Sequence, residues 1–159
     1  MFARAAAVLV TALMLAGCST SRVVETAEVQ AMGVDSAAAA AWISRHRAMH
    51  NLGPVTVDSS LTRAAEYQAL AVGKAGHLSH SVGGEFSSRL AAVGFDRSYA
   101  AENLGAGANS LEETLLRWKD SPEHNKNMLM PQVRRIGIAR VAAPGSRYRN
   151  FWALVLSSS

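Results

Sequence analysis

Past Pro131 the hydrophobic pattern changes period, and this constrains the fold more than any other feature of the chain. Before that point apolar residues recur three and four apart, as on one face of a helix; beyond it they alternate, as on a strand. Asp35 or Ser36 can cap a first helix with Trp42, Ile43, His46 and Met49 on one side, stopped by Gly53-Pro54. Asp58 can cap a second, with Leu61, Ala64, Ala65, Gln68, Val72 and Ala75 on one stripe and Gly76 near its end. A shorter helix is predicted from about Glu85 to Val93, with Gly94 at its C-terminal cap. Ser110-Leu111-Glu112-Glu113 has the spacing of a capping box and opens a fourth helix carrying Leu111, Leu115 and Trp118. Ser121 reads as the cap of a further turn that begins at Pro122. Arg135 to Ala142 and Tyr148 to Leu156 read as two strands around Pro144-Gly145, and a short extended piece covers Asn103 to Gly107. Alternation in the last strand puts Tyr148, Trp152, Leu154 and Leu156 on one face, with Arg147, Arg149 and Phe151 on the other. Helices first and antiparallel strands later predict an α+β fold rather than a doubly wound parallel sheet.

The N-terminus reads as an address. Met1 to Arg4 is a positive start and Ala5 to Ala16 an apolar run, shorter than the roughly 20 residues a bilayer crossing needs. It has the form of a secretory signal peptide over residues 1–17. Leu15-Ala16-Gly17-Cys18 resembles the lipobox of bacterial lipoproteins, which implies acylation of Cys18, the only cysteine. On that reading the protein is anchored in the bacterial membrane and faces the extracytoplasmic side, and Ser19 suits the outer membrane if the source has two. Residues 18–35 then form the lipidated cysteine and a flexible tether, and 36–159 one domain. A single cysteine excludes an internal disulfide, a Cys-based zinc site and a CxxC redox pair. The hydrophobic fraction of 49% excludes a disordered chain, and a formal charge of +4 is too small and dispersed to point to nucleic acid.

Five histidines are the main chemical resource. His46 and His50 share a helix face without an HExxH pattern and read as partly buried or exposed rather than metal-binding. His80 lies where the chain leaves the second helix, and His124 in the turn after Ser121-Pro122. Gly105-Ala106-Gly107 lacks the third glycine of a dinucleotide loop. No serine occupies a G-x-S-x-G elbow. Arg134, Arg135, Arg140, Arg147 and Arg149 gather near the predicted hairpin, either as a solvated edge or as a contact for anionic headgroups or cell-wall polymers.

His80-Ser81, Ala101-Glu102-Asn103-Leu104, Trp118 with Ser121-Pro122-Glu123-His124-Asn125, and Arg135-Ile136-Gly137-Ile138-Ala139 occur in an order that resembles the CAP superfamily. That family comprises cysteine-rich secretory proteins, antigen-five allergens and plant pathogenesis-related proteins, here in compact bacterial form. The resemblance spans about Ser36 to Ser157 and implies an α-β-α sandwich. It also implies a cleft lined by His80, Glu102 and His124, with Ser121 where many members carry a second glutamate and Ala101 in place of glycine. Glu123 or Glu85 could supply the missing carboxylate. Three roles are open to this set: a structural or ligand-lining cluster, a divalent cation site (zinc) on His80, His124 and Glu102, or a catalytic centre. No cofactor is required. The functions implied are binding of a lipid or other envelope ligand, metal-dependent hydrolysis of peptide or cell-wall material, or a non-catalytic protein-interaction module. Neither an oligomeric state nor a catalytic residue follows from the sequence.

Overall fold

The computed structural model describes residues 28–95 and 99–158; Cys18 and the apolar run before it lie outside them. The chain runs β1 (Gln30–Met32), α1 (Ser36–Ala48), β2 (Thr56–Val57), α2 (Ser59–Ala75), α3 (Phe86–Ala91), β3 (Ala100–Ala106), α4 (Leu111–Asp120), α5 (Pro122–Met128), β4 (Arg135–Ala143) and β5 (Arg149–Ser157).

The helices begin where side-chain oxygens can take up their free amides. Asp35 accepts from the Ala38 N–H, and Asp58 from those of Ser60 and Leu61. Ser110 accepts from the Glu113 N–H, while the Glu113 carboxylate reaches back to the amide of Asn109. Gly76 ends α2 in the left-handed region at φ 71°, its N–H bonded to the Val72 carbonyl.

The sheet order is β1-β4-β5-β3, antiparallel throughout, with β2 added parallel to the start of β4. The central strand β5 is buried from Asn150 to Ser157 because helices cover both faces. On one face Leu61, Ala65, Ala69 and Val72 of α2 pack on Val141, Phe151, Ala153 and Val155. On the other, Ile43 of α1, Leu115 and Trp118 of α4 and Met128 of α5 pack on Ile136, Ile138, Trp152, Leu154 and Leu156. The result is the expected α+β architecture, an α-β-α sandwich.

Several local expectations are corrected. Residues 30–32, read as part of the tether, form an edge strand on β4. Helix α3 stops at Ala91, and β3 starts at Ala100, so Glu102 lies inside a strand. Met49 is the C-terminal cap of α1 and is 73% exposed, whereas its neighbour Arg47 is fully buried. Arg47 donates to the carbonyls of Gly53, Met128, Met130 and Val133, which ties α1 to the segment between α5 and β4. Tyr148 packs with Phe151 on the α2 face, not with Trp152, because Arg149 takes a left-handed φ of 62° and interrupts the pleat.

Candidate functional site

The site forms around β3, which lies at the edge of the sheet and is reached by loops from both helical layers. Successive residues of a strand point to opposite faces, so Glu102 and Asn103 serve different layers.

Glu102 meets the α2–α3 side. His80 lies in the turn after α2, where Gln68 holds the preceding residue by donating to the Ser79 carbonyl at 2.8 Å. His80 Nδ1 stands 2.9 Å from Glu102 Oε1. An ionised carboxylate can only accept, so Nδ1 is the donor in this bond. The His80 side chain is 62% exposed, that of Glu102 only 2%.

Arg89, from α3, completes the cluster. Its Nη1 donates to Glu102 Oε2 at 2.6 Å and its Nη2 to Oε1 at 3.1 Å. The same guanidinium donates to the carbonyls of His80 and Gly84, at 2.9 and 3.2 Å. It therefore neutralises a buried charge and fixes the loop that carries His80. Sequence reasoning missed this role. The available signal was Arg89 itself, a charged residue next to Leu90 in a predicted short helix.

Asn103 meets the α5 side. Its Nδ2 donates to the His124 carbonyl at 3.0 Å, and Asn127 donates to its Oδ1 at 2.8 Å. His124 is half-buried, with Nδ1 2.8 Å from the Ser121 hydroxyl. Ser121 occupies the N-terminal cap position of α5 but makes no side-chain cap bond, so its hydroxyl serves the imidazole rather than the helix. Burial holds the His124 pKa below the ordinary value; a positive charge on His80 acts in the same direction, and Glu123 opposes both. Among the described residues no hydrogen bond joins His124 to His80 or Glu102.

The zinc role, one of three left open for this set, finds no preformed ligand cluster: among the described residues no three His, Cys, Asp or Glu side chains gather as metal ligands. Both oxygens of Glu102 are already engaged by Arg89. Glu85 precedes α3 with no side-chain cap bond, and Glu123 lies in the first turn of α5. Glu102 is instead placed as the carboxylate that orients His80.

Next to this cluster a groove of about 440 Å³ runs between α2 and α3. Ala64, Tyr67, Gly83, Arg89, Ala92 and Val93 are among the residues that line it, and its surface is predominantly apolar. His46 and His50 lie in the other layer, ring centroids 5.1 Å apart, with His46 Nε2 donating to Asn125 at 2.7 Å.

Comparisons with known proteins agree with this architecture. An outer surface protein of Borrelia burgdorferi superposes with a TM-score of 0.69 at 17% identity, over 80% of this chain and 96% of that one. An extracellular protein containing an SCP domain from Bacillus anthracis superposes with a TM-score of 0.62 at 23% identity, over 74% of this chain and 38% of that one. The uncharacterized protein YkwD of Bacillus subtilis is 26% identical over 98 residues, which are 60% of this chain and 38% of that protein. The cysteine-rich secretory protein family matches residues 41–156, from within α1 almost to the end of β5, and the chain belongs to this CAP family.

Proposed function

We propose that the protein is a lipid-anchored, extracytoplasmic CAP-domain protein that holds a small apolar envelope molecule, a lipid or lipid-like compound, in the groove between α2 and α3. The observation that carries this reading is a shared wall. Arg89 lines the apolar groove and also holds Glu102, so a molecule in the groove lies against the residue that organises His80. Pockets of this size with apolar walls and a few fixed polar groups are the usual form of small-molecule sites. The anchor rests on the lipobox-like Leu15-Ala16-Gly17-Cys18, and each acyl methylene buried in a membrane contributes about 0.8 kcal/mol. The outer-surface and extracellular proteins that share the fold support an extracytoplasmic placement. The competing hydrolase reading, built on a zinc-activated water, has less support because Glu102 is committed to Arg89. A non-catalytic interaction module shares the fold but leaves the groove without a use.

Mass spectrometry of the native protein, extracted from its membrane, tests both halves. An intact mass that carries acyl groups on Cys18 is expected, and an unmodified Cys18 would remove the anchor. A lipid recovered in organic extract from the native protein, and at least tenfold depleted from Ala92→Trp, is expected for the groove. Equal recovery from both proteins, or none from either, would contradict it.

A further inference from the structure

We propose that Arg89 is the resident cation of the cleft: its guanidinium holds the place on Glu102 that a divalent ion needs, so that the native cleft takes no such ion and loss of the guanidinium opens a site for one. The inference is independent of what occupies the α2–α3 groove.

A carboxylate offers about four lone-pair directions. Three are taken here, by Arg89 Nη1 on Oε2 and by Arg89 Nη2 and His80 Nδ1 on Oε1. An ion seeking either oxygen would therefore meet a bound guanidinium with the same sign of charge. The guanidinium is also held on its far side. Its further bonds to the His80 and Gly84 carbonyls engage four of its N–H groups in all. With the Arg89 side chain 6% exposed and that of Glu102 2%, the pair is shielded from water, and displacing one charge leaves the other buried.

The surrounding donors explain what would follow if the guanidinium were removed. Glu102 would be a buried carboxylate in need of a cation, and His80 already touches it. A carboxylate oxygen and an imidazole nitrogen, with water completing the shell, suit Zn²⁺ or Cd²⁺. An external divalent ion would supply the positive charge that Glu102 loses with the guanidinium, and one further positive charge besides.

Calorimetric titration of Zn²⁺ and Cd²⁺ into the mature chain in detergent tests this. The native and Glu102→Gln isotherms are expected to superimpose. Arg89→Leu is expected to bind Zn²⁺ at least tenfold more tightly than the native chain, and Arg89→Leu/Glu102→Gln is expected to return to the native level. Native binding that disappears in Glu102→Gln would overturn the proposal, as would an Arg89→Leu isotherm no stronger than the native one. If Arg89→Leu does not fold alone, recovery of its near-ultraviolet circular dichroism on refolding with Zn²⁺ would support it. Failure to refold with Zn²⁺ while the double variant folds would overturn it.

Discussion

A carboxylate with 2% of its side chain exposed needs a compensating charge, because its transfer from water costs far more than one neutral hydrogen bond returns. Arg89 supplies that charge, and the consequence reaches beyond stability: with both oxygens occupied, Glu102 is left to hold the His80 ring by its Nδ1–H. His124 obeys a different balance. It is half-buried without a carboxylate bonded to its ring, so burial dominates and its pKa is lowered. The unfolded chain then takes up this proton at a higher pH than the folded one. The resulting stability is fully present above about pH 6.5, the ordinary histidine value, and is lost as the pH falls toward the folded value. The urea midpoint of the native protein is expected to decline through that window more steeply than that of His124→Gln. Parallel profiles would contradict the assignment.

At the scale of elements, the close seat of α2 on the sheet is decided by one missing methyl. A Cβ at Gly137 of β4 would collide with the peptide between Leu61 and Thr62, in the first turn of α2. Gly137→Ala must push that turn outward or bend β4, and overpacking of this kind costs about 3 kcal/mol at its upper range. A drop of that size in unfolding free energy by urea titration is expected; a change within about 0.5 kcal/mol, as for an ordinary surface substitution, would show that the turn does not rest there. The position lies inside the motif Arg135-Ile136-Gly137-Ile138-Ala139, where alternation marks the strand but says nothing of the helix backbone against it. This is typical of what could be read in advance. Asp35, Asp58 and Ser110 announced their helices because capping is local and depends on residues two to four apart. The two-residue β2 and three-residue β1 gave no periodic signal, since strands that short exist only by pairing with β4. Tyr148 was placed on the wrong face because a single left-handed residue, Arg149, resets the alternation.

At the scale of the molecule, the site is a product of topology. The α2 layer brings His80, the α4–α5 layer brings His124, and both wrap the free edge of β3, where Glu102 and Asn103 face opposite ways to receive them. His80 and Glu102 are 22 residues apart, and Arg89 reaches Glu102 across 13, so their meeting was legible only through the family resemblance. Arg89 stayed hidden even then, because an arginine on a short helix has no spacing that marks its partner. The groove beside it depends in turn on how α3 lies against α2, which no periodicity encodes. The account rests on the two imidazoles sharing one cleft, and titration of the His124 ring by NMR, in the native protein and in His80→Gln, tests that most directly. Removal of the His80 charge is expected to raise the His124 pKa toward its ordinary value, because His80 is one of the causes of the depression. A His124 titration curve that is the same in both proteins would contradict the account.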